Sequence, residues 1–393
     1  MTTTGLYLQI PFCESKCSFC NFSSRVERRE VYAAYCESVT AEIARLPEDY
    51  VRLGVDSEIL AAPVDTIYFG GGTPAIVGAD ALANIVTALR ERFHFADSVE
   101  FTLETTPGSA DEAFLKCARA MGINRLSIGA QSFCDPELKA VGRLHSAKDT
   151  STLVHSARLQ GFRNISLDLI AGLPHQTASS WQASLQAVRE LRPEHVSVYI
   201  FEVDEKSRLG QEVLAHGTRY HAGAVPNEDF MAEAYEAARE ALATEGYEQY
   251  EISNFALAAC ESKHNRKYWR LEPYIGLGAG AHSFDGIHRW SNATSPEDYS
   301  RQLTHGDSPV VDYRKLPEQD QVEEFFFLGL RQNEGIDLET ARRRWGAEIV
   351  GRWAPIILDM VSEGRLERRG ERIVVPERSY LVSNEIFQEF LLV

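Results

Sequence analysis

Long apolar runs and concentrated positive charge are both scarce in this sequence. No apolar run approaches the ~20 residues that a membrane-spanning helix needs, so we expect no such helix. The net charge of −17 argues against a broad surface for nucleic acid, because phosphate binding requires clustered lysine and arginine. Acidic residues interleave two of the three short basic stretches, which we interpret as solvated faces: Arg25–Arg29, Arg342–Arg344 and Arg365–Arg372.

The sequence also lacks the marks of secretion. Its first residues, M-T-T-T-G-L-Y-L-Q-I, contain no basic segment followed by a long apolar one, as a secretory signal would. Seven cysteines, an odd number, fit a reduced protein better than a disulfide framework. We therefore expect a cytoplasmic protein with free thiols. Its 393 residues suffice to bury a full core, and two domains, one of them large, are expected.

Three of the cysteines stand close together in I-P-F-C-E-S-K-C-S-F-C, directly after an apolar strand. A [4Fe–4S] cluster normally takes four cysteines, so Cys13, Cys17 and Cys20 would leave one iron open to a small-molecule ligand. A structural zinc site needs four Cys or His ligands, and the next cysteine, Cys36, lies in a helical-looking segment. The spacing predicts an iron–sulfur cluster that serves chemistry. We interpret the remaining cysteines as small apolar packing residues: Cys36, Cys117, Cys134 and Cys260.

Short β-rich runs alternate with amphipathic helical segments up to about residue 215, a pattern typical of a parallel sheet with crossover helices. We predict six strands, at Leu6–Ile10, Asp65–Phe69, Val99–Leu103, Arg125–Ile128, Ile165–Ile170 and Val196–Phe201. We predict intervening helices at Val31–Arg45, Ala79–Arg92, Asp111–Met121, Asp149–Gln160 and Ala178–Glu190. Six such units predict an α/β fold with a partial, TIM-like (β/α)6 barrel that stays open where a full barrel closes. The stretch Leu46–Pro63 is interpreted as an extended surface insertion.

Beyond Ala215 the alternation stops. The sequence predicts a helix over Glu228–Thr244, then a Tyr/Asn/Gly-rich segment, and a small helical region from about Pro317. Near the end, G-R-L-E-R-R-G-E-R-I-V-V predicts a β-hairpin and S-N-E-I-F-Q-E-F-L-L-V a closing helix. Together these elements predict a C-terminal α+β module of winged-helix-like type. Because the module has no basic face, we do not interpret it as DNA-binding.

Polar residues follow successive predicted strands, where ligands bind in parallel-strand enzymes. The second strand ends in Y-F-G-G-G-T-P, whose glycines let the backbone approach a ligand closely, although a tight turn explains them equally well. Glu104, Gln131 and Asp168 fall at the ends of the next three strands. Each alone could be a cap or a satisfied core group, but together they indicate a ligand site. An acidic residue there could accept hydrogen bonds from ribose hydroxyls.

These motifs resemble those of the radical S-adenosylmethionine (SAM) superfamily. V-G-R-L-H-S and D-L-I-A-G-L-P-H-Q-T further resemble its coproporphyrinogen-dehydrogenase-like branch, over essentially the whole chain. The resemblance implies that the three cysteines bind the cluster and that SAM occupies the open iron. It implies a core over residues 1–215, a linking region with a haem motif over 216–310 and a C-terminal module over 311–393. The SAM residues it implies are Tyr7, Phe19, Gly71, Gly72, Thr73, Glu104, Gln131, Arg143 and Asp168.

That branch contains dehydrogenases and haem chaperones, which differ in two respects. The dehydrogenases have a fourth cysteine two positions beyond the third, where this chain has Phe22. They also extend N-terminally of the first strand, whereas this chain begins almost on it. Both differences favour a chaperone over a porphyrinogen-oxidising enzyme.

A second motif, H-N-R-K-Y-W, resembles the haem-binding signature of the chaperones. If the segment is helical, its His, Asn, Tyr and Trp share a face. The spacing alone favours a satisfied histidine beside packed aromatic rings, whereas the resemblance favours a haem ligand with stacking partners. The haem candidates are His264, Asn265, Tyr268 and Trp269, with His282 ranked lower.

We therefore expect a haem chaperone that carries a [4Fe–4S] cluster and exchangeable SAM and that transfers haem to an acceptor protein. Its further expected partners are an electron donor such as flavodoxin or ferredoxin, and a membrane surface contacted peripherally. No nucleic-acid partner is expected. The alternative is a radical SAM enzyme that acts on a porphyrinogen or another small molecule, as an oxygen-independent dehydrogenase or a methyltransferase.

Overall fold

The computed structural model describes residues 3–391 as a large mixed α/β unit followed by a small C-terminal module. The strands are β1 Thr4–Ile10, β2 Val64–Gly71, β3 Phe95–Thr105, β4 Arg125–Gln131, β5 Asn164–Ala171, β6 His195–Ile200, β7 Glu248–Glu251, β8 Asn254–Ala256, β9 Tyr274–Leu277, β10 His282–Phe284, β11 His288–Asn292, β12 Val310–Lys315, β13 Ile336–Asp337, β14 Glu367–Arg369 and β15 Arg372–Val374.

The α-helices are α1 Arg29–Leu53, α2 Glu58–Ala61, α3 Ala79–Arg92, α4 Glu112–Ala120, α5 Asp135–Ala140, α6 Ala147–Leu159, α7 Ala178–Leu191, α8 Arg208–Leu214, α9 Glu228–Thr244, α10 Lys263–Trp269, α11 Pro296–His305, α12 Glu318–Gly329, α13 Leu338–Trp345, α14 Ala347–Val350, α15 Ala354–Ser362 and α16 Ser383–Gln388. Short 3-10 turns occupy Pro74–Val77, Arg219–Ala224, Gly351–Trp353 and Glu377–Val382. None of the helices in the described part of the chain is long and apolar enough to cross a membrane.

The first six strands pair in chain order, each parallel to the next, as the partial-barrel prediction requires. The sheet does not close on itself, because its twelve-strand order ends at β12 on one edge and at β7 on the other. The strands of residues 216–310 extend it at both edges: β9 lies parallel to β1, and β8 lies antiparallel to β6. The sequence did not predict these edge strands, and the domain limits at residues 215 and 310 stay predictions.

Side chains alternate between the two faces of these strands with the period of two that a strand imposes. The outward side chains are apolar and fully buried against the helices, such as Leu6, Leu103 and Leu167. The inward ones are largely polar, such as Arg125 and Asp168. The barrel is therefore an apolar shell around a polar interior that can accept a ligand.

The predicted surface insertion Leu46–Pro63 is wrong. Helix α1 runs without interruption through Pro47 to Leu53, and α2 follows within the same stretch. The helix continues because Leu46 and Tyr50 are buried on the same face as Ile43, three and four residues apart. This packing outweighs the missing N–H of Pro47 inside the helix.

The C-terminal module has the predicted hairpin, β14–β15, with β13 completing a three-stranded antiparallel sheet. Helices α12 to α15 pack around Phe326, Trp353 and Phe390, which are fully buried, and the Phe326 and Phe390 rings stack 4.7 Å apart. Their order, helices before a hairpin, is the winged-helix-like arrangement expected. The closing helix forms at α16, and the last two residues of its predicted range lie outside the described residues.

A buried carboxylate joins α1 to the edge strands of the sheet. Glu42, 3% exposed, accepts hydrogen bonds from the Tyr299 hydroxyl (2.5 Å), the Gly278 N–H (2.8 Å) and the Asn292 amide (2.6 Å). Burial raises the pKa of Glu42 to about 7 despite these three donors. The protonated form is therefore the one that folding favours.

This pKa predicts a pH-dependent contribution to stability. Because the folded pKa lies above the ordinary 4.5, the contribution is fully present below pH 4.5 and is lost as the pH rises through about 7. Glu42→Gln cannot titrate, so wild type should gain up to about 3 kcal/mol relative to the variant between pH 8 and pH 4.5. Urea unfolding of both proteins across this range measures the gain. Parallel pH curves for the two proteins would contradict the prediction.

Candidate functional site

The cysteine loop leaves β1 at the C-terminal end of the strand and is closed by its own backbone. The Cys13 N–H donates to the Arg25 carbonyl, and the Arg25 N–H donates to the Pro11 carbonyl, both at 2.9 Å. The Lys16 ammonium donates to the Phe22 and Ser24 carbonyls from inside the loop. These bonds give the loop a fixed shape that does not depend on a disulfide.

All three loop thiols line one cavity of about 530 Å³ at this end of the barrel. Each thiol has a donor nearby: Thr73 Oγ1 lies 3.9 Å from Cys13 Sγ, Arg143 Nη1 3.6 Å from Cys17 Sγ and Ser24 Oγ 4.0 Å from Cys20 Sγ. Burial raises the pKa of Cys13, and bound iron would reverse that effect because a coordinating thiol is deprotonated.

The thiols fit a cluster better than a single ion. Within residues 3–391 no three His, Cys, Asp or Glu side chains are grouped tightly enough to hold one metal ion. Each cysteine of a cubane cluster bonds a different iron, so its sulfurs stay further apart than ligands of one ion. The backbone at Gly72 lies so close to the cysteine loop that a side chain there would not fit. A Cβ on Gly72 would lie 2.9 Å from Cys13 Sγ and would clash with the Phe12 carbonyl oxygen, so we refer to this close approach as the cradle at Gly72.

The structure brings most of the predicted SAM residues together around this cavity. Eight of the nine line it: Phe19, Gly71, Gly72, Thr73, Glu104, Gln131, Arg143 and Asp168. The ninth, Tyr7, lies outside the lining: its hydroxyl donates to Gln9 Oε1 (2.5 Å), and its ring stacks 6.1 Å from Tyr68, which does line the cavity.

Glu104 is held at the end of β3 by its neighbours on β2. Its carboxylate accepts from the Tyr68 hydroxyl (2.8 Å) and from the Gly71 N–H (3.1 Å). Burial raises the pKa of Glu104 to about 7, and the nearby charge of Asp168 adds to the rise. Asp168 accepts from the Ser197 hydroxyl (2.8 Å), and burial raises its pKa as well.

Gln131 ends β4 in the left-handed region, with φ of 66°. A non-glycine residue is uncommon there, and such strain concentrates where the surrounding structure enforces a functional geometry. The β4–β5 register shifts between Ile128 and Gln131, so the strand end turns the amide towards the cavity. Arg143 donates from Nη2 to the Gly129 carbonyl and thereby ties the loop after α5 to the same strand.

The haem candidates do not share one accessible surface. The motif forms helix α10. Ser262 caps its N-terminus, and the Ser262 side chain accepts a hydrogen bond from the Asn265 N–H. His264 is 1% exposed, and both ring nitrogens are engaged: Nδ1 with Thr66 Oγ1 (2.9 Å) and Nε2 with the Tyr268 hydroxyl (2.8 Å). Burial lowers the pKa of His264 to about 3. In this conformation it has no nitrogen free for iron.

Of the other candidates, Tyr268 contacts His264, and the remaining three have different surroundings. Trp269 packs under the Arg331 guanidinium, which sits 4.7 Å from its ring centroid, and Asn265 lines the cysteine cavity. His282 is exposed on β10. The segment is helical, as the prediction required, and His264 contacts Tyr268 one turn further on, but which of these side chains meet haem stays a prediction.

Sequence reasoning missed several side chains that line the cavity from inside the barrel. Extending the period-two alternation of each strand inward from its end would have found them. They are Tyr68, Arg125, Ser127, His195, Ser197 and Tyr199. The interpretation of the four other cysteines as packing residues holds for buried Cys36 and is wrong for Cys117, which is exposed on α4.

Comparison with known proteins matches this geometry. The radical SAM superfamily model matches residues 7–188, and the HemN C-terminal domain model matches residues 316–382. The structure is similar to that of coproporphyrinogen III oxidase (HemN) from Escherichia coli, with a TM-score of 0.84 at 23% identity over 99% of this chain and 90% of that one. The barrel and the cysteine loop define a radical SAM protein, and the superfamily implies a [4Fe–4S] cluster and SAM.

Two full-length relatives specify the family further. The chain is 32% identical to the haem chaperone HemW of Bacillus subtilis over 98% of both chains. It is 30% identical to that of Lactococcus lactis over 98% of this chain and 97% of the relative. The chain belongs to the HemW family.

The side chains that line the cavity fit both a [4Fe–4S] cluster and SAM. A cluster supplies an electron to the sulfonium of SAM when both are bound. Cys13, Cys17 and Cys20 would hold the cluster, while Glu104 and Asp168 would accept hydrogen bonds from ribose hydroxyls. The buried walls of the cavity strengthen these polar contacts and limit access of water.

Protonation of Glu104 predicts how SAM affinity depends on pH. A neutral Glu104 accepts ribose hydroxyls less well, so the affinity should be constant above about pH 7 and fall by up to tenfold per pH unit below it. Equilibrium binding of SAM to the reconstituted protein at pH 5.5 to 8.5 would measure this fall. Glu104→Gln should remove this part of the pH dependence, and an equally steep fall in the variant would refute the assignment.

The cradle at Gly72 predicts a steric effect on the cluster. In Gly72→Ala the new methyl group would displace the Phe12 carbonyl or the Cys13 thiol, so iron bound per chain after anaerobic reconstitution should fall by more than half. Gly351→Ala is the matched control, because a Cβ at that position meets no atom within 4 Å and should leave the iron content unchanged. Equal iron content in both variants would contradict the prediction.

Proposed function

We propose that this chain binds haem and transfers it to a haem-accepting protein, working in the cytoplasm with a [4Fe–4S] cluster and SAM bound. The observation that carries this proposal is the relation to the HemW haem chaperones, which spans 98% of the chain rather than the barrel alone. Phe22 supports it, because the position of the fourth cysteine of the dehydrogenases carries here an apolar side chain that is 66% exposed.

His282 is the haem ligand that we propose. Within residues 3–391 its imidazole makes no hydrogen bond, and it lies exposed on β10 beside Ser291 of β11, which in turn pairs with Asp312. Burial of part of the ring lowers the pKa of His282, and the charges of Arg289 and Arg314 add to this effect. A neutral imidazole is the form that binds iron. Arg289 is paired with Glu324 (2.6 Å), so the exposed Arg314 on β12 is the arginine that offers a partner for a haem propionate.

His264, ranked first from the sequence, becomes the second candidate. For it to ligate iron, the bonds to Thr66 and Tyr268 would have to break and α10 would have to leave the barrel. Breaking two buried hydrogen bonds costs about 1–3 kcal/mol for each group left unsatisfied. The exposed ligand therefore requires less rearrangement than the buried one.

A haem titration followed at the Soret band distinguishes these ligands. His282→Ala should weaken binding at least tenfold, whereas His264→Ala should keep the affinity while losing stability. His305→Ala, which changes an exposed histidine on α11, serves as the control. Loss of binding in His264→Ala alone would overturn the assignment of His282, and absence of binding in wild type would overturn the haem proposal.

The remaining partners follow from the same role. We propose that a small electron carrier such as flavodoxin or ferredoxin reduces the cluster, and that contact with a membrane is peripheral where the acceptor is membrane-bound. The exposed apolar side chains of Phe22 and Leu144, which line the mouth of the cavity, support docking of such a carrier close to the cysteine loop. Carrier-dependent reduction of the cluster should slow in Phe22→Ser and Leu144→Ser.

The second candidate function is a radical SAM enzyme acting on a porphyrinogen or another small molecule. The intact cysteine loop and the polar lining of the cavity favour it. Anaerobic incubation with coproporphyrinogen III, SAM and a reductant tests the dehydrogenase form. We expect no protoporphyrinogen IX, and its formation at catalytic rates would reverse the order of the two functions.

A further inference from the structure

Arg125 is a buried cation, and two of its three side-chain nitrogens have no hydrogen-bond partner. Its side chain is 1% exposed and lines the cavity from β4. Among the described residues, the Nε and Nη1 atoms of Arg125 are buried and have no hydrogen-bond partner. Charged side chains are almost never fully buried unless they are paired. Two of its three nitrogens therefore have N–H groups that a bound ligand can satisfy.

The same level of the barrel carries further unsatisfied polar atoms. Thr102 on β3 and Asn164 on β5 are the register partners of Arg125 on either side. The Thr102 hydroxyl and the Asn164 amide oxygen are both buried without a partner. Of these three side chains Arg125 is the one that lines the cavity, so its guanidinium is the group that a ligand there would meet.

The nearby carboxylates accept their hydrogen bonds from other groups. Glu104 is occupied by the Tyr68 hydroxyl and the Gly71 N–H, and Asp168 by the Ser197 hydroxyl. Both lie further along their strands than the level of Arg125, towards the cysteine loop. Their negative charges interact with the charge of Arg125, but they accept no hydrogen bond from its Nε or Nη1 atoms.

We propose that the inner end of the cavity is a second ligand site, in which Arg125 binds the carboxylate of an alkyl acid. The planar fork of a guanidinium matches a carboxylate with two parallel hydrogen bonds. A doubly charged phosphate fits less well, because Glu104 and Asp168 would repel it more strongly. The site lies deeper in the barrel than the residues assigned to SAM, so the two ligands could be bound together.

Propionate is the probe, and propionamide is its uncharged isostere. The thermal unfolding midpoint of the full-length protein should rise with propionate and stay constant with propionamide, since a ligand of the native state stabilises it by mass action. Arg125→Gln should weaken the apparent affinity for propionate at least tenfold. Arg331→Gln, which also lines the cavity but removes a guanidinium stacked on Trp269, should bind propionate as wild type does.

Unfolding of the ligand-free proteins distinguishes a ligand-binding role of Arg125 from a purely structural role. Because an unpaired buried charge is costly, Arg125→Gln without ligand should unfold at or above the wild-type midpoint. A lower midpoint together with no response of wild type to propionate would mean that Arg125 balances Glu104 and Asp168 or is satisfied by water, and would overturn the proposal. Arg125→Lys keeps the charge and loses the fork, so it should restore only part of the affinity.

The carboxylate that Arg125 binds could belong to a free alkyl acid or to the propionate arm of a tetrapyrrole. The tetrapyrrole alternative rests on the proposed haem function. If the arm is the source, Arg125→Gln should weaken haem binding while the haem dimethyl ester binds both proteins equally. If a free acid is the source, haem binding should be unchanged in the variant. The propionate experiment stands in either case, including a failure of wild type to bind haem.

Discussion

The Glu104 carboxylate sits where β2 meets β3, held by a tyrosine hydroxyl on one side and a backbone N–H on the other. Such a group survives burial only because the barrel encloses polar side chains and turns its apolar ones outward. This arrangement, with polar side chains inside the barrel and apolar ones outside, explains the other features of the site. It leaves room for ligands inside the strands, it raises the pKa values of both buried carboxylates, and it leaves two nitrogens of Arg125 without a hydrogen bond from the protein.

The cysteine loop depends on the same arrangement. It extends β1, so its thiols face the cavity that the polar strands line, and Thr73 and Arg143 reach the sulfurs from the ends of β2 and the loop after α5. The C-terminal module also contributes to the wall, through Tyr380 and Ser383. A single cavity thus joins the loop, the barrel and the module, and the similarity to HemW likewise extends beyond the barrel, over 98% of the chain.

Local sequence patterns predicted the strands of the barrel and several residues of the site. The six parallel strands follow from short apolar runs, and the strand-end residues Glu104, Gln131 and Asp168 follow from where those runs stop. What could not be predicted depends on pairing between distant segments. No local pattern shows that β9 lies against β1, or that α10 reaches the barrel at Thr66. The burial of His264 follows from that second contact, and for this reason the spacing of its motif could not show that the imidazole is engaged.

The contact between α10 and β2 has a consequence for how two ligands would influence each other. The Tyr68 ring stacks 5.2 Å from the imidazole of His264, while its hydroxyl holds Glu104. One side chain therefore touches both the haem motif and the carboxylate assigned to SAM. A ligand that displaced His264 would remove a ring contact from Tyr68, whose hydroxyl donates to Glu104. Were this to change the affinity for SAM, thermodynamic reciprocity would require SAM to change the affinity for that ligand by the same factor.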